Sequence, residues 1–354
     1  MLFVLLVVFP VALLAADFEK AGATVTRDSS GEVGALDFTS AWINDADLVA
    51  VGRLAKLRRL NLAHTKVTDA GFEHLQPLTG VVELNCYYCE YLSDSGLAHL
   101  KGWKKLETLT LRGTKVTSQA FEHLASLTGL RSLDIAYTEM DDDGFETLAG
   151  LPRLERLAMG GNRLSGVALP LLKLIPALKH LDLGGIQRVD SGLWGVCLTD
   201  ANLARLGELT RLESLNLNGA NLADRGLDRP GSALAERSEL RDVSPLARLA
   251  NLRALDLSRI PIASDALEPL TRLPHLRELR LGLCPKIDDS AAPLLRAMPA
   301  LEALYLTETA VTDRLLDDLR EAKGLRKLDV VGTKVTAAAV ARFREARTEC
   351  HVVR

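Results

Sequence analysis

Aromatic residues make up only 5% of this 354-residue chain. A core assembled around large rings is thereby excluded, and aliphatic side chains must fill the interior. An excess of one charge is missing too: 43 lysines and arginines stand against 46 aspartates and glutamates, a net of −3. That balance gives no general pull toward nucleic acid or an anionic membrane, so neither is expected as a partner. Cysteine is sparse and odd in number, at Cys86, Cys89, Cys197, Cys284 and Cys350, which argues against a full disulfide framework. Cys86 and Cys89 form a C-x-x-C, but no second pair and no nearby C-x-H completes a zinc set. No phosphate-binding G-x-x-x-x-G-K, nucleophile elbow or H-E-x-x-H occurs. The expectation is a protein with no catalytic residues, no metal and no cofactor. Low-complexity tracts and long linkers are also absent, which points to one elongated domain.

One long apolar run is present, LFVLLVVFPVALLAA at 2–16. It is short for a membrane span and fits the core of a signal peptide, with Ala15 and Ala16 as a cleavage point. Residues 1–16 are therefore expected to be a signal peptide or N-terminal anchor, with the mature protein secreted or held in the periplasm or cell envelope. The plain alternative is a buried first helix, which leaves the protein cytoplasmic.

The rest of the chain repeats one phrase. An L-x-x-L-x-L frame is followed by a polar stretch and a short apolar helix pattern, most cleanly at Leu57, Leu60, Leu62 and TKVTDAGFEHL (65–75). The middle leucine recurs at Leu60, Leu84, Leu109, Leu133, Leu157, Leu181, Leu215, Leu255, Leu279, Leu304 and Leu328, and a weaker copy lies at Val33, Leu36 and Phe38. The interval is 24 or 25 residues except for two of 34 and 40. Such a period means a solenoid. Leucines two apart share one face of a short strand, and the residues between them, such as Asn61 and Asp134, should face solvent. Thr68 and Asp69 are suited to start a helix, with Phe72 and Leu75 on one of its faces. One strand and one helix cannot bury their apolar faces alone, so neighbouring repeats must stack.

The pattern L-x-x-L-x-L-x-x-[C/T]-x-x-[I/V]-T-D-x-G-L-x-x-L resembles the cysteine-containing type of leucine-rich repeat. That type is found in F-box substrate receptors and in bacterial secreted or envelope proteins. CEYLSDSGLAHL (89–100) and CPKIDDSAAPLL (284–295) keep the cysteine, while Thr65, Thr114, Thr138, Thr309, Thr333 and Asn162 fill the slot elsewhere. The resemblance implies an α/β solenoid or horseshoe of about twelve repeats over 33–343. A parallel sheet would lie on its concave face and short helices on its convex face. No F-box-like helical segment is seen before the repeats, so a ubiquitin-ligase role is not expected. The repeat register also places Cys86 in the core and Cys89 at a buried turn.

The segment 17–32 is expected to cap one end, with TVTR (24–27) opening a β-hairpin. Residues 344–354 should cap the other with a strand through Val352. His74, His99 and His123 recur at one helix position and should form an exposed surface column. Asp141, Asp142 and Asp143 lack the alternate spacing of a calcium loop and fall where helices start. The serines of DSG at 94–96 and 190–192 belong to the repeat and not to a protease.

What remains is surface. A polar, mixed-sign concave face of about 50 Å is large enough to hold a protein partner. Tyr87, Tyr88 and Tyr137, with His64 and Arg112 beside them, are the residue types that dominate interfaces, and Asp134 and Asp182 add charge. The long intervals place insertions near 186–197 and 224–242, where Trp194, Arg225 and Arg229 are candidate contacts. The leading reading is an exported, non-catalytic scaffold, a monomer, binding protein on its concave face. The alternatives are a glycan or cell-wall polymer stacked on the aromatics, or an intracellular adaptor resembling the F-box receptors.

Overall fold

Each repeat closes its own small circuit of strand, corner, helical turn and return. The computed structural model describes residues 18–189, 192–220, 240 and 242–354. The predicted leader at 1–16 lies outside them, as does most of the insertion at 224–242 with Arg225 and Arg229. The chain divides into two compact units, residues 18–139 with Thr147–Leu154, and Met140–Glu146 with Glu155–Arg354.

In the first unit β1 (Thr24–Arg27) pairs antiparallel with β2 (Val33–Asp37). Parallel strands β3 (Arg59–Asn61), β4 (Glu83–Asn85), β5 (Thr108–Thr110) and β6 (Ser132–Asp134) follow in chain order. The register aligns Leu36, Leu60, Leu84, Leu109 and Leu133, all at most 1% exposed. Burying each leucine contributes about 2 kcal/mol, and the aligned column lets each one cover its neighbour. Helices Asp45–Val51 and Asp69–Leu75 close the other side, burying Leu48, Val51, Phe72 and Leu75.

In the second unit the parallel order is β7 (Arg156–Ala158), β9 (His180–Asp182), β12 (Ser214–Asn216), β13 (Ala254–Asp256), β14 (Glu278–Arg280), β15 (Ala303–Tyr305), β16 (Lys327–Asp329) and β17 (His351–Val353). A separate small sheet joins β10 (Ile186–Val189), β11 (Gly192–Val196) and β8 (Arg163–Leu164). The insertion near 186–197 is thus folded back onto its own unit. Many helical segments here are 3-10 turns, as at Leu169–Leu174, Ser244–Arg248 and Ser264–Arg272. Each contains a proline, which removes one backbone donor, and a 3-10 turn spans more length per residue in so short a crossing.

The aspartate of T-D-x-G was expected to favour its own helix start. It stands there, in the first turn of the helix, and its carboxylate also bonds to the cap of the following repeat. Asp45 accepts from the Thr68 N–H and hydroxyl, Asp69 from those of Ser93, and Asp94 from those of Thr117, at 2.6–2.9 Å. In the second unit Asp289 does the same for Thr312 and Asp313 for Thr336. Within the run 141–143, Asp142 accepts from the Ser165 N–H at 2.7 Å.

At the C-terminal end Arg347 is 5% exposed. Its guanidinium donates to the carbonyls of Arg320, Ala322, Lys323 and Leu325 and pairs with Glu349. One cation thus donates to four carbonyl groups of the preceding repeat.

Candidate functional site

After each strand the chain passes a left-handed corner. In the first unit these corners are Ser40, His64, Tyr88, Gly113 and Tyr137, with φ between 52° and 72°. The corner N–H groups donate across repeats, His64 to Tyr87 O at 2.8 Å, Tyr88 to Arg112 O at 2.7 Å and Gly113 to Ala136 O at 3.1 Å. Successive corner side chains are therefore held one above the next. His64 and Tyr88 stack with centroids 5.7 Å apart and planes at 14°. Tyr87 meets both edge-on, at 5.2 and 4.7 Å. A non-glycine left-handed residue costs roughly 1–2 kcal/mol, and each ring pair returns about 0.5–1.5 kcal/mol, so the stack offsets much of the corner strain.

The next two corners extend the arrangement. Gly113 has no side chain, and the Tyr88 ring occupies the space beside it. Beyond it the Arg112 guanidinium sits 4.8 Å from the Tyr137 ring centroid, while its Nε bonds Asp134 Oδ2 at 3.1 Å. His64, Tyr87, Tyr88, Arg112, Asp134 and Tyr137 are thus brought into one connected group. Tyr87 is 36% exposed, and His64 is exposed as well.

Beside this group the open face of the sheet holds a polar basin of about 260 Å³, lined by Thr24 and Thr26 of β1 with Asp37, Arg59, Asn61, Glu83 and Asn85. Asn85 joins the two, because its Oδ1 accepts from the Tyr87 N–H at 3.0 Å. Burial pushes the Asp37 carboxyl up, but hydrogen bonds from the Thr39 hydroxyl, the Thr39 N–H and Asn61 outweigh it and carry the group below its ordinary value. The basin combines one guanidinium, two carboxylates and two amides beside three rings. It can orient a polar partner, and it offers no nucleophile–base pair.

The strand aspartates and asparagines do less recognition than their solvent-facing register suggests. Asn61, Asn85, Asp134, Asp182, Asn216 and Asp256 each accept from the backbone N–H two residues on, at 2.8–3.0 Å. Their first duty is to hold the exit turn of the strand. Asp134 keeps a second oxygen for Arg112, and Asp182 accepts from the Gly184 N–H. In the second unit Trp194 stands 5.9 Å from the Arg163 guanidinium. Not singled out in the sequence is Tyr305, with Arg280 at 4.2 Å and Lys327 at 4.9 Å from its ring centroid. The signal was available: Arg280 and Tyr305 break a column otherwise rich in Asp and Asn.

The cysteines sit in the architecture. Cys86 is fully buried, and burial pushes its thiol well above the usual range. Cys89 occupies the slot of Thr65; the threonine donates to Leu62 O at 2.7 Å and the thiol to the same oxygen at 3.0 Å. Cys284 likewise donates to Leu257 O, and burial raises it to about 11. None of the five cysteines is in a disulfide. No group of three or more His, Cys, Asp or Glu able to hold a metal is found among the described residues. The histidine column is only partly a surface one: His74 is exposed, but His123 Nδ1 is buried without a partner.

A family profile described as "Leucine Rich repeat" matches residues 53–75. Comparison with curated proteins gives no match. Among solved structures, the internalin inlF of Listeria monocytogenes aligns at a TM-score of 0.61 and 17% identity, over 96% of this chain and 92% of that one. The TLR13–ssRNA13 complex aligns at 0.50 and 20% identity, over 88% of this chain and 48% of that one. A leucine-rich-repeat protein of Leptospira interrogans gives 0.47 and 17%, over 87% of each. The repeat match and the internalin likeness establish the leucine-rich-repeat fold; at such identities they carry nothing further.

Proposed function

We propose that this chain is a non-catalytic recognition scaffold of the cysteine-containing leucine-rich-repeat type, of bacterial origin and exported through its N-terminal apolar segment. It holds a protein partner against the concave face of the first unit. The observation that carries this reading is the His64–Tyr87–Tyr88 ring group sharing Asn85 with the polar basin. Rings supply buried area at low entropic cost, and the adjacent amides, carboxylates and Arg59 supply directional hydrogen bonds. Arg112 and Tyr137 extend the contact by one more repeat.

Proximity crosslinking in the native host tests it. Tyr87→Ala/Tyr137→Ala should lose most captured partner relative to wild type, at an unchanged unfolding temperature. Equal capture by both would remove the ring group as the site. The mass of the isolated protein tests export, because a cleaved leader shortens it by about sixteen residues.

A further inference from the structure

A second exposed row runs along the segments that leave each left-handed corner for the helix. Trp42 follows Ser40 by two residues, Lys66 follows His64, and Lys115 follows Gly113 by the same step. Tyr91 takes the equivalent place after Tyr88, displaced by the one extra residue of that repeat. Each precedes a fully or nearly fully buried residue of the same slot, namely Ile43, Val67, Leu92 and Val116. That shared anchor fixes the four side chains in adjacent repeats as an alternation of ring, cation, ring, cation.

Trp42 is 88% exposed and Tyr91 51%. A tryptophan so open is unusual on a folded surface, where it normally buries most of its area. Lys66 Nζ stands 5.1 Å from the Trp42 ring centroid, and Lys115 Nζ 5.8 Å from that of Tyr91. Among the described residues neither ammonium has a carboxylate partner. Glu90 stands beside Tyr91 and Glu139 in the slot after Lys115, and the carboxylates of Asp45, Asp69 and Asp94 lie close by at Thr68, Ser93 and Thr117, where each already accepts two hydrogen bonds; the two ammoniums are the row's own charges. The two rings lie two strand spacings apart, about 10 Å.

We propose that this row is a binding site for an acidic polysaccharide, a chain of uronate-bearing sugars. The C–H face of a pyranose is apolar and flat, and it packs on an indole or phenol ring while its hydroxyls stay in water. A uronate carboxylate meets the ammonium beside each ring as a charge-assisted hydrogen bond. Alternation at this spacing matches a polymer that offers ring faces and carboxylates in turn. A neutral glycan leaves both lysines unused. Single-stranded nucleic acid gains little here, because two cations release few counterions compared with the six to ten phosphate contacts of a typical binder.

The test is retention of the purified protein on immobilised polygalacturonate, with dextran and oligo-dT matrices in parallel. Wild type should be retained on polygalacturonate alone and released by about 0.5 M salt, where screening is within a few ångströms. Trp42→Ala/Tyr91→Ala should weaken retention by about tenfold or more. Lys66→Gln/Lys115→Gln should weaken it too and flatten its salt dependence. Tyr87→Ala/Tyr137→Ala should bind polygalacturonate as wild type does, which separates this row from the proposed protein-binding face. All four row side chains are exposed, so unfolding temperatures should match wild type. Failure of wild type to bind, equal retention on dextran, stronger retention on oligo-dT, or full retention of both row variants overturns the proposal.

Discussion

Tyr88 occupies the space that a side chain at Gly113 would need: a β-carbon built there lies 2.8 Å from Tyr88 Cδ1 and 2.9 Å from Cγ, with the backbone at φ +72°. Gly113→Ala is therefore expected to cost about 1–3 kcal/mol, from left-handed strain and from pushing the ring aside. Urea unfolding measures the stability loss. Partner capture should fall with it, because the ring leaves its place over His64. Tyr88→Ala/Gly113→Ala removes the clash, so its loss should be smaller than the sum of the two single changes.

Arg347 offers the sharpest stability prediction. Arg347→Met takes a charged donor from four carbonyls, of which Ala322 O keeps the Leu325 N–H and Lys323 O the Arg326 guanidinium, at an expected cost of about 1.5–3 kcal/mol. Arg347→Lys should recover only part of this, since a point charge on a flexible stem cannot reach carbonyls arranged for a planar fork. Hydrogen exchange should show the loss concentrated in β16, β17 and the helix Ala337–Ala346.

Acid should destabilise the fold in two stages. Burial, with help from Lys101, holds His123 below its ordinary value, and burial does the same for His180 with Arg156. The unfolded chain therefore takes up these protons first, and stability declines as pH falls from about 6.5. Asp313 is held down by the Thr336 N–H and hydroxyl, and Asp288 by the hydroxyl and N–H of Ser290. Their contribution is complete above about pH 4 and is lost as pH drops through the depressed folded values. Unfolding temperature should hold level from pH 8 to about 7, fall in one step below about 6.5 and in a second below about pH 4, and Asp313→Asn should shrink the lower step. A curve that rises on acidification contradicts this account.

The cysteine slot should accept threonine. Cys89→Thr places there the hydroxyl that Thr65 and Thr114 carry in the same slot and should change stability by less than about 1.5 kcal/mol, while Cys89→Val removes the thiol donor but leaves the Leu62 carbonyl its bond from the Thr65 hydroxyl and should cost no more than about 1 kcal/mol. Under native conditions a bulky thiol reagent should modify Cys197, the one cysteine that is not buried, well before Cys86, Cys89, Cys284 or Cys350.

The leucine columns were legible in the sequence because a period-two strand inside a 24-residue repeat leaves one possible core face. Leu36 through Leu133 and Leu157 through Leu328 fall into register accordingly. The threonine and cysteine slot was legible for the same reason. The corners were not, because His64, Tyr88 and Tyr137 are poor candidates for positive φ when read singly. The clue lay in neighbouring repeats, in Gly113, Gly161, Gly185, Gly219 and Gly332 at the same column. The strand Asp and Asn residues misled in a different way: their register says they face outward, but not that the adjacent backbone claims an oxygen first. Trp42 was passed over because a lone tryptophan near a weak repeat carries no pattern until Lys66, Tyr91 and Lys115 are seen beside it.

Because the carboxylate at one helix start completes the cap of the following coil at Asp45, Asp69, Asp94, Asp289 and Asp313, a run of such coils lends and borrows the same bond. Removing or duplicating a whole 24-residue unit leaves donors and acceptors matched across the new junction, whereas cutting a few residues short strands an acid on one side and a hydroxyl on the other. Change in length is thus cheap in whole steps and costly in fractions, so a protein of this kind can grow or shrink its reach without having its hydrogen bonds redesigned.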